Sequence, residues 1–393
     1  MSKPQPFPDL PALAQHLREE LENKKFILLY AYNSTGKTRL STEFKDLGKH
    51  TNDDGEVTAR DTLYFNAFTE DLFTWDNDLD EDERRILELN PKSTFFKGLG
   101  EFEIENRVRS LLDRYADFGF RIDLTYDDDG TLKEGRVHFN REVLVEHEVE
   151  ARSVTIENIK ISRGEENMFI WCFFLAIAEI RLDPETTAYD WAKYIFIDDP
   201  ISSLDEQNAV MVATHLASML RDADDPPGVV ISTHHPLFHN VLWNELKKKS
   251  RRYFLGRDPV SGAYTVRNTE AIPFFHHVAA LIELYDTDLN GTLNTHHFNM
   301  LRAIAEKTAS FLGYANFADC IKRDSDDLEG RLHTRLLNLL SHGGYSLYEP
   351  TVMQDDNKRE FRPMLHKFIQ QHAFNPENFP GLNSDQSEDT TTP

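Results

Sequence analysis

Between residues 26 and 44 the chain reads FILLYAYNSTGKTRLSTEF: an apolar stretch of strand length, a short polar loop ending in Gly-Lys-Thr, and the start of a helical pattern. Strand, GK[ST] and helix start, in that order, call for an α/β layer whose loop backbone can wrap phosphate oxygens at a helix N-terminus. Asn33, Ser34, Thr35 and Gly36 would supply backbone N–H groups. Lys37 would reach the outer phosphates, and the Thr38 hydroxyl would bind Mg2+. Ala31 stands where the pattern has its first glycine, so the loop needs support from the rest of the chain.

That support comes from YIFIDDPISSLD, an apolar strand ending in two adjacent carboxylates. Asp198 is placed to hold Mg2+ with Thr38. This region resembles the ABC-type ATPases. The resemblance gives Asp199 the water-activating carboxylate, makes Ser202 to Asp205 the D-loop, and makes His234, in VVISTHHP, the switch histidine that meets the γ-phosphate. Upstream, ISRGEENMF sets Ser162, Gly164 and Glu165 in an S-x-G-E pattern similar to the ABC signature. Ser162 and Glu165 also have the spacing of a helix capping box, and both readings can hold at once. In that family the signature of one subunit closes over the nucleotide of another, so the resemblance implies a homodimer or higher oligomer. A P-loop holds phosphates rather than bases, so it does not choose between GTP and ATP.

ARSVTIENIKI, EENMFIWCFFLAIAEIRL, AKYIFIDD, EQNAVMVATHLASMLRD and GVVIST alternate as strand and helix, the pattern expected of a largely parallel α/β sheet. LGKHTNDDGEVTARD (47–61) reads as a surface loop, and FRIDLTYDDDGTLKEGRVHFN as a hairpin turning near Asp129-Gly130. The apolar run Met168 to Ala178 is too short to span a bilayer and reads as a buried helix. Past about residue 270 only helical periodicity remains. The expected layout is an ABC-type P-loop NTPase domain over 1–265, an all-α domain over 266–375 and a disordered tail over 376–393.

The formal charge of −24, from 43 basic and 67 acidic residues, excludes indiscriminate binding to polyanions. From 265 on there are 11 basic and 18 acidic residues, so any nucleic acid must be met at a local patch. The nearest basic run, KKKSRR (Lys247 to Arg252), reads as a solvated helix end before it reads as an RNA contact. Only Cys172 and Cys320 occur, without zinc spacing, which fits a reducing cytoplasm. The N-terminus has no charged start leading into an apolar segment, so no secretory signal is expected.

In FNMLRAIAEKTASFLGY (298–314), Arg302 and Glu306 lie one turn apart, as a surface ion pair or as a reacting pair. YAYNSTGKTRLS, NAFTEDLFTWDNDL, SRGEENMFIW, FIDDPISSLD and LRAIAEKTASFLGY together resemble bacterial tRNA anticodon nucleases of the PrrC type, through most of residues 26–345. The resemblance implies Arg302, Glu306 and His342 as the nuclease residues. RLLNLLSH also has the R-x6-H form of HEPN ribonucleases, a helical superfamily, with Arg335 as its arginine.

By the same resemblance the substrate is a tRNA, with the tRNA-Lys anticodon loop as first candidate, recognised by residues near 265–290. GTP is the activating nucleotide, with dTTP as a regulatory ligand. A type I DNA restriction-modification complex is the restraining partner in antiphage defence, and no membrane is involved. Two other readings stay open: an ABC-type ATPase module that binds DNA or a partner protein without cutting, and a signalling nucleotidase without RNA. The 125 or so residues between Gly36 and Ser162 hold no sustained heptads, unlike chromosome-structuring relatives with coiled-coil arms.

Overall fold

The computed structural model describes residues 4–53, 57–66, 72–76, 86–91, 93, 103–128, 132–146, 151–187, 189–201, 206–257, 262–270, 276–294, 296–315, 317, 353–372 and 374–382. They fall into two compact units: Pro4–Gly256 with Tyr264–Glu270, and Ala271–Pro393 with Arg257–Ala263.

The first unit is built on a seven-stranded sheet. In chain order its strands are β1 (Gln5–Phe7), β2 (Phe26–Tyr30), β5 (Thr62–Asn66), β11 (Tyr194–Asp198), β12 (Gly228–Thr233), β13 (Ser250–Arg257) and β14 (Tyr264–Asn268). Their spatial order is β1-β14-β13-β2-β12-β11-β5. The five strands from β13 to β5 are parallel, and β1 pairs antiparallel with β14. Every residue of β2 is buried, the continuous apolar run expected of a strand covered on both faces. Helix α1 (Leu10–Asn23) packs Leu13, Ala14 and Leu17 onto one face, and α2 (Lys37–Asp46) follows the phosphate loop.

A second sheet holds β6 (Phe73–Asp76), β7 (Ile86–Leu89), β8 (Gly119–Tyr126), β9 (Leu132–Glu146) and β10 (Ala151–Glu157), all pairings antiparallel. Helix α3 (Ile104–Leu112) precedes β8. Helix α4 (Arg163–Leu182) is buried without a break from Met168 to Ala178. A helix apolar on all sides has to be surrounded by protein, and α4 packs in one core with residues of both sheets. Helix α5 (Glu206–Asp222) follows β11, and α6 (Pro236–Leu246) follows β12.

Three expectations change within the first unit. The strand in ARSVTIENIKI is β10, which pairs antiparallel with β9 rather than joining the parallel sheet. Only residues 147–150 separate the two strands, and a parallel crossover needs a dozen or more. The stretch 47–61 carries a small two-stranded ladder, β3 (His50–Thr51) with β4 (Val57–Ala59). The run KKKSRR divides: Lys247–Lys249 form an exposed 3-10 turn, whereas Arg252 is wholly buried in β13. Its guanidinium donates to Asn240 Oδ1 at 2.7 Å, and burial pushes its pKa down to about 10.

The second unit shows α7 (His276–Leu289), α8 (His296–Leu312) and a helix over Asp355–Gln371 that continues through Pro363. His297, next to His296 in the sequence, is buried, and its Nδ1 accepts the Asn294 N–H at 2.8 Å, a structural role. The stretch read as disordered from 376 begins with a 3-10 turn, Pro376–Asn378. Phe379 and Leu382 are buried, and Tyr285 donates to the Pro380 carbonyl at 2.8 Å. The boundary expected at 265 falls inside β14. No helix among the described residues is long and apolar enough to cross a membrane. The turn at Asp129-Gly130, Cys320 and the tail from 383 lie outside the described residues.

Candidate nucleotide site

Because β2, β12 and β11 are adjacent and parallel, their carboxyl ends meet at one edge of the sheet, where open α/β sheets bind ligands. The phosphate loop leaves β2, Asp198 ends β11, and His234 follows β12. Sequence order alone places these segments far apart; the strand order brings them together.

Gly36 stands at the N-cap of α2 with φ +107°, a left-handed conformation that favours glycine. A side chain there would also meet the Tyr264 ring at 3.4 Å, so the loop closes over a packed floor. No side chain caps α2, which leaves its first N–H groups to the loop and to an anion. Lys37 is buried, and its Nζ donates to the carbonyls of Ala31 and Tyr32 at 3.2 and 3.3 Å and to Asn33 Oδ1 at 3.4 Å. It also stands 3.7 Å from Asp199 Oδ2. Burial lowers the Lys37 pKa by more than Asp199 and Asp198 restore.

Asp198 is 1% exposed, and its Oδ1 accepts from Ser232 Oγ at 2.5 Å. Burial raises its pKa, opposed by Ser232, by Thr38 and by Lys37, with the Asp199 charge adding to the rise. Its Oδ2 is buried with no hydrogen-bond partner among the described residues. A buried carboxylate oxygen left unbonded costs about 1–3 kcal/mol or more, so the site is short of one positive ligand. Thr38 and Asp198 therefore fit Mg2+, which takes a hydroxyl and one or two carboxylates and keeps its remaining places for phosphates and water.

Asp199 has φ +51°, uncommon for a residue with a side chain. Its N–H donates to the Ser232 carbonyl at 2.8 Å. Its Oδ1 accepts from Thr233 Oγ1 and the His234 N–H, both at 3.3 Å, and its Oδ2 meets His234 Nδ1 at 2.6 Å. Burial alone would raise its pKa. The His234 hydrogen bond, the His234 charge and Lys37 together pull it below the ordinary carboxylate value. Asp199 is thus an ionised carboxylate fixed beside a histidine.

Ser162 caps α4: its Oγ accepts from Glu165 N–H at 3.3 Å, and Glu165 Oε2 accepts from Ser162 N–H at 2.6 Å. The capping reading holds, and Arg141 from β9 anchors Glu165 through its other oxygen. A side chain at Gly164 would meet Ser162 Oγ at 4.0 Å, an ordinary contact. Sequence reasoning missed Ser232 and Thr233, which hold the two carboxylates from the strand between β2 and β11. Their signal was visible only as two hydroxyls ahead of His234.

On α8, Arg302 Nε donates to Glu306 Oε1 at 2.8 Å, with the side chains 34% and 48% exposed. The Arg302 guanidinium also lies 5.4 Å from the Phe317 ring centroid. Arg335, His342 and the stretch Ser202 to Asp205 lie outside the described residues, as do residues 271–275 of the expected anticodon-recognition segment.

A phosphate loop, a buried carboxylate short of a cation and a second carboxylate locked to a histidine, on one edge of a parallel sheet, define a P-loop NTPase domain. A family model described as an AAA domain matches residues 146–369. A curated protein of Escherichia coli, "Anticodon nuclease", is 35% identical over 357 residues, covering 83% of this chain and 85% of that protein. A solved structure, the SmcHead bound to the C-winged helix domain of ScpA, aligns with 63% of this chain and 90% of its own at 12% identity and a TM-score of 0.33. The chain belongs to the anticodon nuclease family.

Proposed function

We propose that this chain is a tRNA anticodon endoribonuclease whose cutting is controlled by nucleotide turnover. The observation that carries this reading is the 35% identity to an anticodon nuclease over 83% of one chain and 85% of the other, lengths too great to leave out either unit. The Arg302–Glu306 pair, formed at 2.8 Å and half exposed, supports it as a place for a phosphodiester.

The chemistry needs no metal at the RNA. The ribose 2′-oxygen attacks the neighbouring phosphorus, a base takes its proton, the P–O5′ bond breaks and an acid protonates the leaving 5′-oxygen. Glu306 and His342 share those two tasks. Arg302 offers a forked, permanent charge to the phosphate as negative charge builds, with Arg335 as a second arginine. The products are a 2′,3′-cyclic phosphate and a 5′-hydroxyl.

At the nucleotide end, Thr38 and Asp198 hold Mg2+, which when bound neutralises charge on the outer phosphates. Lys37 leaves its loop carbonyls for those phosphates, Asp199 positions water, and His234 meets the γ-phosphate. Ser162, Gly164 and Glu165 serve a neighbouring subunit's nucleotide in a homodimer or larger assembly. GTP or ATP drives the cycle, and dTTP acts as a regulatory ligand. A type I restriction-modification complex restrains the enzyme until a phage disables it, and cleavage of the tRNA-Lys anticodon loop then stops translation in the cytoplasm.

Purified chain incubated with total tRNA and GTP or ATP tests the proposal, with the 3′ ends of the RNA sequenced. A discrete anticodon-loop nick that vanishes with Glu306→Ala and with His342→Ala is the expected result. Nucleotide-dependent retention of DNA without RNA cutting would favour a binding module instead. Turnover with no RNA product at all would favour a nucleotidase.

A further inference from the structure

Residues 265–393 are acidic overall, yet the stretch 358–367 reverses the sign. Lys358, Arg359, Arg362 and Lys367 stand against the single acid Glu360 between 358 and 367, while the rest has seven basic and seventeen acidic residues. All of that stretch lies on the helix Asp355–Gln371. Phe361, Met364, Leu365, Phe368 and Ile369 are buried along one side of it. Arg359, Arg362 and His366 follow at i, i+3 and i+7 along the other, about one turn or 5.4 Å of rise apart.

The anchoring of this face is uneven. Asp288 of α7 is 1% exposed and takes both central side chains: Arg362 Nε donates to its Oδ1 and Oδ2 at 2.8 and 3.0 Å, and His366 Nε2 meets its Oδ2 at 3.0 Å. Burial alone would raise the Asp288 pKa, but His366 and Arg362 hold it below the ordinary value, so the anchor stays ionised. Arg362 nevertheless remains 54% exposed and keeps the outer edge of its guanidinium in solvent. Among the described residues, Lys358, 24% exposed, pairs with Asp355 at 3.6 Å and Arg359, 78% exposed, with Asp356 at 3.7 Å, two carboxylates 85% and 88% exposed. Carboxylates that exposed hold a cation weakly, so both cations can exchange them for a phosphate. The two aspartates also sit in the first helical turn, where the helix dipole favours them without any cation.

We infer that the outward face of the helix Asp355–Gln371 is the surface by which this unit grips the phosphate backbone of its RNA, with Asp288 fixing Arg362 and His366 and with Lys358 and Arg359 exchanging their aspartates for phosphates. The inference rests on the reading of the chain as a tRNA-cutting enzyme. It answers the charge problem posed by the sequence: an acidic protein reaches a polyanion through one local cationic strip. The contacts are to phosphate, so they hold the RNA in place without reading its bases.

The test uses the full chain carrying Glu306→Gln, so that bound tRNA is not consumed. Its affinity for tRNA is measured by fluorescence anisotropy over a series of salt concentrations. Lys358→Gln with Arg359→Gln leaves the Asp288 anchor untouched, and the log–log salt slope should fall by about one for each cation removed. Lys247→Gln with Lys248→Gln, on the exposed turn of the other unit, serves as the control and should leave the slope unchanged. Arg362→Gln should lower the slope as well as the unfolding temperature; a merely structural arginine would lower the temperature alone. A slope unmoved by the tail substitutions overturns the inference, and if the chain with Glu306 intact still nicks tRNA the proposed function survives it. A Glu306→Gln chain that does not bind tRNA, together with an unsubstituted chain that does not cut it, overturns both.

Discussion

Two ion pairs in this chain use the same kinds of side chain and live in different surroundings. At the sheet edge Lys37, Asp198, Asp199 and His234 are held by neighbours on three strands, and Asp198 keeps a buried oxygen with no partner. On α8, Arg302 and Glu306 are joined by one hydrogen bond and face solvent. The first site is organised before its ligand arrives and carries the desolvation cost of that order. The second costs the fold almost nothing, and under the proposed function it gains a role only when RNA meets it.

If that contrast is right, Glu306→Ala should reduce tRNA cleavage by about 10²–10⁴-fold, the usual weight of a general acid or base. It should shift stability by no more than about 0.5 kcal/mol, since an exposed i,i+4 pair contributes little. Quantitative primer extension and a denaturant titration on one preparation check both halves. A large loss of stability would mean that the pair is structural.

Lys37→Ala should reduce nucleotide turnover by about 10²–10³-fold, the scale of losing one fixed charge at a transition state. Phosphate release in steady state measures it. Asp198→Asn should have a similar effect on turnover with the opposite sign on stability. The Asp198 pKa is raised, so at neutral pH its charge costs folding energy. Removing that charge should stabilise the first unit by about 1 kcal/mol in Mg2+-free buffer, within the range for one unsatisfied buried group. A thermal melt that falls instead would show that the carboxylate is satisfied.

Ser162→Ala should cost about 1 kcal/mol through loss of the α4 cap. It should also abolish any nucleotide-dependent association seen by light scattering, whereas an Arg141→Ala control should weaken the cap's anchor and leave association intact.

The smallest effect is on pH. Asp199 and Asp288 have folded pKa values below their unfolded ones, so each contributes stability that is present above the ordinary carboxylate range. That stability is lost as the pH falls through the lowered folded values. Melting temperatures should hold from neutrality to about pH 5 and decline below about pH 4. Asp288→Asn should flatten the acid limb of the second unit.

The phosphate loop, Asp198, Asp199 and His234 were legible in the sequence because each sits in one short segment with a strand and a helix on either side. Strand order was not legible, since nothing in GVVIST says that β12 lies between β2 and β11. The antiparallel sheet was read only in part, because β10 alternates polar and apolar residues as a strand in either sheet would. Ser232 went unnoticed because its role depends on a partner 34 positions away. Arg252 was hidden by composition: a buried arginine and a solvated one look alike within KKKSRR. The cationic strip at 358–367 is hidden in the net charge of the tail and shows only when the residues are placed on one helical face.

The path of the chain at β14 has a practical consequence for dissecting the protein. Arg257–Ala263 group with the second unit, whereas Tyr264–Asn268 form β14 between β13 and β1 in the first. Truncation at 256 would strip β13 of one neighbour and leave β1 without any, exposing unpaired backbone of the kind that drives chains to stick to one another. A soluble, independently folding fragment has to run to Glu270.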